Sequence, residues 1–176
     1  MPAQQFVDEL NAQIGREFGA SQQYVALAVY YDQLTLPRIA SFFYEQAVEE
    51  RGHALMMVQY LLDADASPVI PGVAAPVTDF EDWVSPLGIA LEQERKVTDQ
   101  IAGLTATARR EDDYLSEQFM QWFLKEQVEE VSTMSDLLAV AERCRDRPMD
   151  FEDYLAREKS GAEEPDPTAP PAAGGA

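Results

Sequence analysis

Five side chains with metal-ligand chemistry stand out, because each falls near the middle of a helix-like stretch of the sequence. Glu50 and His53 are spaced i, i+3, so in a helix they point to one face and can share a metal ion. Glu17, Glu94 and Glu130 occupy similar positions in three other stretches. Four carboxylates balance the charge of two divalent cations, and mixed oxygen and nitrogen ligands suit iron or manganese.

A heptad seam, with alternating steps of three and four residues, runs through each of these stretches. Each seam is mainly apolar and is interrupted near its middle by one carboxylate. An unpaired buried charge costs roughly several kcal/mol, so four such interruptions indicate a shared site. Helix rise places them in one layer, about 15 to 27 Å along a bundle of about 42 Å. The seams are Leu10, Ile14, Glu17, Ser21, Tyr24, Ala28, Tyr31; Ile39, Phe43, Gln46, Glu50, His53, Met57, Tyr60; Leu87, Leu91, Glu94, Thr98, Ile101; and Met120, Phe123, Gln127, Glu130, Met134, Leu137.

Prolines mark the elements that must position these side chains, because an interior proline breaks a helix. The longest proline-free stretch contains residues 109 to 113, where a basic pair meets N-cap candidates, and a helix boundary is expected there. The sequence therefore predicts an all-α fold, a four-helix bundle with a short fifth C-terminal helix. The predicted helices span about 5 to 33, 37 to 64, 85 to 110, 113 to 143 and 149 to 158.

The connection between the second and third helices, residues 65 to 84, is unusually long. Twenty extended residues reach about 70 Å, which exceeds the length of about 42 Å of a 28-residue helix. Such connections are uncommon in compact domains unless they cross a bundle. We therefore expect a long crossover joining parallel helices, while the short links form antiparallel hairpins.

The chain of 176 residues is long enough for one domain with a sizeable core. We expect this domain to span residues 1 to 160. Residues 161 to 176 contain no large apolar residue, which predicts a disordered C-terminal tail.

The formal net charge of -19 disfavours binding to nucleic acid or anionic membranes and favours cations as partners.

The single cysteine, Cys144, excludes an intrachain disulfide and a cysteine-based metal cluster. The single histidine excludes a two-histidine zinc motif and a haem held by two histidines of one chain. No signal-peptide pattern and no bilayer-length apolar run is present, so we expect a cytoplasmic protein.

Together these residues resemble the bacterial non-haem ferritins, members of the ferritin-like di-iron carboxylate family. The likeness covers residues 5 to about 158 and is sharpest at 17 to 24, 47 to 54 and 119 to 130. The fourth helix reads Gln127-Val128-Glu129-Glu130, where di-iron oxygenases and bacterioferritins typically have a second Glu-x-x-His pair. The solitary histidine thus indicates an asymmetric centre.

The resemblance implies that Glu17, Glu50 and His53 hold one iron ion. Glu50 would bridge to a second iron, held also by Glu94 and Glu130. Bacterioferritins bind haem through a methionine directly after the bridging glutamate, and that position is Arg51 here, so no haem is expected.

The resemblance also assigns roles to side chains around this iron pair. Gln127 matches an amide near the irons and oxygen. Tyr24 and Trp122 match aromatics that lie beside the centre and can supply an electron, although a hydrogen-bonded core tyrosine explains Tyr24 equally well, and packing alone explains Trp122 better.

Three further carboxylates, Glu49, Glu126 and Glu129, match a third and weaker iron position in some bacterial members. A solvated acidic flank explains them about as well.

The implied function is iron storage. A ferroxidase centre inside each subunit would oxidise Fe(II) to Fe(III) with dioxygen, and a homo-oligomeric shell of about 24 subunits would hold the ferric oxide mineral.

The alternative enzyme is a rubrerythrin-like di-iron oxidase or peroxidase without storage, which the missing rubredoxin-like cysteines disfavour. A metal buffer without oxidation is a second alternative. A DNA-protecting relative is disfavoured, because the tail contains Glu163, Glu164 and Asp166 and is therefore acidic.

Overall fold

The structure is a computed structural model, and it describes residues 1–158 and 166–174. Five α-helices and no strand occur within these ranges, which confirms the all-α prediction. Every predicted helix boundary lies within one residue of the observed one. Within the described residues, every helix is either too short or too polar to span a lipid bilayer. The helices are α1 (Gln4–Gln33), α2 (Pro37–Asp63), α3 (Ser85–Arg110), α4 (Tyr114–Arg143) and α5 (Pro148–Glu158).

The helix boundaries follow from local chemistry. Pro37, Pro86 and Pro148 lie in the first turns of α2, α3 and α5, where the missing N–H breaks no helical hydrogen bond. The expected break between α3 and α4 also forms. Asp112 has a left-handed φ of 53°, and the side chain of Asp113 accepts a hydrogen bond of 3.2 Å from the first turn of α4.

The crossover, residues 64–84, runs beside α1. The side chain of Asn11, near the start of α1, accepts a hydrogen bond of 2.6 Å from the backbone N–H of Val69. Near the other end of α1, the Tyr31 hydroxyl donates to the carbonyl of Trp83 at 2.8 Å. The crossover therefore carries the chain back to the end of the bundle where α2 begins, and α2 and α3 are parallel, as predicted.

Two buried apolar clusters fill the bundle. One contains Tyr31 and Phe43, whose stacked rings lie 5.6 Å apart, and it extends to α5. The other contains Leu10, Met57 and Phe123 and lies toward the start of α1. The interrupting carboxylates lie between the two clusters along the seams, so apolar packing on both sides fixes the level of the polar layer.

Helix α5 is joined to α2 by a buried carboxylate. Glu152 accepts hydrogen bonds from the backbone N–H groups of Arg38 at 2.9 Å and Ile39 at 3.0 Å. These N–H groups in the first turn of α2 have no partner within the helix. Glu152 therefore caps α2 from another element.

Part of the C-terminal tail lies against the bundle. Residues 161–165 and 175–176 lie outside the described residues, but 166–174 contact α2 and α4. The backbone N–H of Ala173 donates to the carbonyl of Leu55 at 3.0 Å, and Asp166 accepts hydrogen bonds from α4. These contacts are mainly polar, so the absence of large apolar residues does not reveal them. The division at residue 160 stays a prediction.

Candidate metal centre

The five side chains that the sequence singled out are all buried in the middle of the bundle. Their exposed fractions are 1% for Glu17, 1% for Glu50, 3% for His53, 0% for Glu94 and 6% for Glu130. They come from four helices, α1 to α4, with two on α2. Carboxylates are rarely buried to this degree unless a partner compensates for the lost hydration.

Glu17, Glu50 and His53 form the tightest group. One ligand atom of each can be chosen so that all three lie within 4.8 Å of one another. His53 Nδ1 lies 3.5 Å from Glu50 Oε2. Among the described residues, Glu94 and Glu130 take part in no such group of three ligand atoms. The structure thus brings one predicted ligand set together and leaves the other two carboxylates nearby.

Several carboxylate oxygens of the layer have no hydrogen-bond donor. Oε2 of Glu17, of Glu50 and of Glu94 is buried in each case and has no hydrogen-bond partner among the described residues. A buried acceptor without a partner costs about 1–3 kcal/mol, and more when it is charged. Such oxygens can be satisfied by protons or by cations, and the layer therefore has the chemistry of a cation site.

Burial and mutual repulsion favour protons on these carboxylates when no cation is bound. Burial, reinforced by the charge of Glu50, raises the pKa of Glu17 well above its usual range. Burial and the charge of Glu94 do the same to the pKa of Glu50. Burial raises the pKa of Glu94 to about 7, and burial together with Glu49 raises the pKa of Glu130 to about 9. Divalent cations would therefore compete with protons for the same oxygens.

Polar neighbours orient two of the carboxylates. Gln13, fully buried on α1, donates from Nε2 to Glu17 Oε1 at 2.8 Å, and its own Oε1 accepts from Arg16 at 2.9 Å. The Tyr24 hydroxyl donates a hydrogen bond to Glu94 across the bundle. Burial and the Glu94 charge raise the pKa of Tyr24, so the hydroxyl keeps its proton. Sequence reasoning found Tyr24 but missed Gln13, whose only signal is its position one turn before Glu17.

Comparison with known proteins decides the family. Residues 7–144 match the family described as the ferritin-like domain. Ferritin BfrB of Mycolicibacterium smegmatis is 54% identical over 164 residues, which cover 93% of this chain and 90% of that protein. Ferritin BfrB of Mycobacterium tuberculosis is 51% identical over 174 residues, covering 99% and 96% of the two chains.

The chain belongs to the ferritin family. A bacterial non-heme ferritin of Staphylococcus aureus is 36% identical over 132 residues, covering 75% of this chain and 80% of that one. The resemblance drawn from the sequence is therefore confirmed, and with it membership of an iron-storage family.

Solved structures agree on the fold. A humanized archaeal ferritin has a TM-score of 0.87 at 23% identity and covers 93% of this chain and 100% of its own. An open pore ferritin from Archaeoglobus fulgidus has a TM-score of 0.86 at 23% identity, with 91% and 98% covered. These neighbours confirm the four-helix bundle with a short C-terminal helix.

In this ferritin the amide of Gln127 is 3% exposed and lies beside the buried layer. The Thr98 hydroxyl is 2.9 Å from Gln127 Oε1 and 2.8 Å from the backbone carbonyl of Glu94. The Gln127 side chain also acts to lower the pKa of Glu94. The position of Gln127 next to Glu94 is compatible with the role implied by the resemblance.

A second group of possible ligands lies next to the first. Ligand atoms of Glu49, His53 and Glu126 can be chosen within 4.8 Å of one another. They border a cavity of about 600 Å³, which Glu129 and Trp122 also line. The Trp122 ring packs edge-on against His53 with ring centroids 5.6 Å apart. The three carboxylates expected for a third position thus share one cavity, and Trp122 packs against the imidazole.

Proposed function

We propose that this ferritin oxidises Fe(II) to Fe(III) with dioxygen at a di-iron ferroxidase centre inside each subunit. The ferric product is then stored as an oxide mineral within a hollow homo-oligomer. Iron is the substrate and the cargo of this reaction. The proposal depends above all on one observation, which is the buried group of Glu17, Glu50 and His53 with ligand atoms within 4.8 Å.

The chemistry of the layer supports oxidation and not merely binding. Hard, anionic oxygen ligands stabilise Fe(III) relative to Fe(II), because they interact more strongly with the higher charge. Two adjacent Fe(II) ions can give two electrons to one dioxygen. Glu50 is proposed to bridge them, since it lies with Glu17 and His53 and also interacts electrostatically with Glu94 and Glu130.

The remaining residues are assigned by position. Glu17 and His53 hold the first iron, and Glu94 and Glu130 the second. Gln127 and Tyr24 would act on the second iron through their contacts with Glu94. Tyr24 orients this carboxylate and is proposed as a source of an electron.

Glu49, Glu126 and Glu129 are proposed as the third, weaker iron position. Their common cavity and the approach of Glu49 and Glu126 to His53 support this assignment. The cavity connects the third position to the imidazole of the main centre. No haem is proposed, because Arg51, and not methionine, follows the bridging glutamate.

Storage requires a shell, and family membership supports a homo-oligomer of about 24 copies. Exposed apolar side chains on α1 and on the crossover also favour subunit contacts, because a monomer would leave them in water. Val25, Val29, Val69 and Ile70 are 43%, 41%, 56% and 63% exposed.

One experiment tests both parts of the proposal. Fe(II) is added aerobically to the purified, metal-stripped protein, ferric absorbance is followed, and the mass of the particle and its retained iron are measured by size-exclusion chromatography with light scattering. We expect rapid oxidation, with iron retained in a particle of about 24 subunits.

The Glu50→Ala/His53→Ala double variant should lose rapid oxidation. Glu92→Ala serves as the control, because Glu92 lies on α3 near the centre but faces solvent. Oxidation unaffected by the double substitution would refute the assigned centre. Oxidation in a small oligomer without retained iron would instead favour the rubrerythrin-like alternative.

A further inference from the structure

The described part of the C-terminal tail reaches the cavity that leads to His53. Asp166 and Ala169 of the tail line this cavity together with Glu126 and Glu129 of α4. The tail is held near both ends of the segment, by the hydrogen bonds of Asp166 and by the bond of Ala173 to α2. Asp166 therefore adds a carboxylate that the family resemblance did not assign to any iron position.

The cavity already contains a cation, which is the ammonium group of Lys125. Lys125 Nζ lies 3.1 Å from Asp166 Oδ2 and 4.0 Å from carboxylate oxygens of both Glu126 and Glu129. Together with Glu49, these residues place four carboxylates around the cavity against one lysine. Hydrogen bonds from Thr168 hold the pKa of Asp166 well below its usual range, so Asp166 is ionised. The excess of negative charge favours an additional or a replacing cation.

A buried ligand faces the same space. The His53 side chain is only 3% exposed, yet it borders the cavity. Apart from its 3.5 Å approach to Glu50, no hydrogen bond or ion pair joins its ring to another side chain of the described residues. A nearly buried imidazole with a free nitrogen at the end of an acidic cavity is suited to receive a metal ion.

We propose that Asp166 is a metal-capturing ligand and that Lys125 is a tethered counter-cation, which an incoming divalent metal ion displaces. The ion first binds to Asp166, Glu126 and Glu129, and then moves toward Glu49 and His53. The lysine returns to the carboxylates when the ion has moved on. This inference rests on the proposed function for the identity of the metal, but the binding step itself requires no oxidation.

Trp122 provides a reporter for this exchange. Its indole N–H donates to Asp166 at 3.2 Å, and its ring packs against His53. The chain has two tryptophans, so Trp83→Phe leaves Trp122 as the only one. Loss of the Asp166 contact changes the surroundings of the indole and thus its fluorescence.

The test is a zinc titration of the metal-stripped full chain carrying Trp83→Phe, because Zn²⁺ is divalent and redox-silent. Trp122 emission is recorded, and bound zinc is counted in parallel by equilibrium dialysis. Asp166→Asn keeps the hydrogen-bond acceptor but removes the charge, so we expect zinc binding at the cavity to weaken about tenfold. Lys125→Met removes the competing cation and should strengthen it about tenfold.

Lys96→Met is the matched control, since Lys96 is an exposed lysine paired with Glu92 on α3. It should change zinc affinity by less than about twofold. Opposite effects of the two cavity variants support the exchange. If both variants weaken binding, Lys125 and Asp166 only fasten the tail, and the proposal is overturned. The proposal is also overturned if neither variant changes the zinc affinity. Failure of aerobic iron oxidation with the zinc result intact would instead count against the proposed function.

Discussion

The Tyr24 hydroxyl on α1 donates a hydrogen bond to the Glu94 carboxylate on α3, and both side chains are fully buried. The bond joins two helices at the level of the carboxylate layer. It fixes one oxygen of Glu94, while Oε2 of the same carboxylate has no hydrogen-bond partner. A tyrosine thus holds a proposed iron ligand in place from the opposite hairpin.

Tyr24→Phe tests this relationship. The substitution removes one oxygen atom and leaves Glu94 without its buried donor, so we expect aerobic iron oxidation to slow by about tenfold, as is typical when a partner of a metal ligand is lost. Initial rates with two Fe(II) ions added per subunit measure this effect.

Tyr31→Phe is the matched control. Tyr31 is equally buried on α1, but its hydroxyl donates to the carbonyl of Trp83 at 2.8 Å, away from the layer. This variant should lose stability without a comparable loss of rate. Equal rates for both variants would contradict a special role of Tyr24.

The metal-free protein should become less stable as pH rises. Because burial raises the pKa of Glu94 to about 7 and of Glu130 to about 9, the folded chain keeps protons that the unfolded chain releases near its ordinary pKa of 4.5. Their contribution is complete below pH 4.5 and is lost as pH rises through the folded values. Each retained proton gives a slope of about 1.4 kcal/mol per pH unit.

Urea unfolding between about pH 5 and pH 9 at constant protein concentration measures this slope. Glu130→Gln makes the side chain permanently neutral. The free energy of unfolding of this variant should therefore fall less steeply with pH, by about the 1.4 kcal/mol per pH unit that one retained proton contributes. A metal-free protein that is as stable at the upper limit as at the lower one would contradict the retained protons. A variant with the wild-type slope would show that Glu130 retains no proton in the folded protein.

The crossover packs closely against α1 at Gly15. A β-carbon placed there would lie 2.5 Å from Cγ of Pro71. Gly15→Ala should therefore destabilise the protein by about 1–3 kcal/mol, because the clash outweighs the gain in helix propensity.

Gly19→Ala provides the comparison on the same helix, since a β-carbon at Gly19 meets nothing within 4 Å. This variant should be more stable by about 0.5–1 kcal/mol. Denaturant midpoints of the two variants give the answer. Stabilisation by both substitutions would show that the crossover does not pack on Gly15.

The capping of α2 by Glu152 also predicts a loss of stability. Glu152→Ala leaves the backbone N–H groups of Arg38 and Ile39, at the start of α2, without their acceptor, which should cost about 1–3 kcal/mol. Asp153→Ala, one residue later and exposed, should change stability by less than about 0.5 kcal/mol. Thermal unfolding of the two variants at equal concentration distinguishes them. A similar melting temperature for both would exclude the cap.

Much of this architecture could be predicted from the sequence because its signals are local. Prolines and N-cap residues mark the helix boundaries, and a seam with one carboxylate in each helix indicates a shared polar layer. Glu50 and His53 could be paired because helical spacing alone brings them to one face. The length of residues 65 to 84 was sufficient to predict the crossover.

Other features depend on contacts between distant segments and have no local signal. Gln13 resembles any polar residue of an amphipathic helix until its burial against Glu17 is seen. Glu152 was unremarkable in the sequence, although it caps another helix. The contacts of Asp166 have no signal in the composition, because hydrogen bonds to Trp122 and Lys125 make them and no large apolar residue marks the segment.

The most direct test of the di-iron centre is anomalous diffraction at the iron absorption edge from crystals soaked anaerobically with Fe(II). The proposed centre predicts two anomalous peaks inside each bundle, about 3.5–4 Å apart. One peak should lie among Glu17, Glu50 and His53, and the other beside Glu94 and Glu130. Iron found only at the surface or in the cavity outside His53, with no peak inside the bundle, would contradict it.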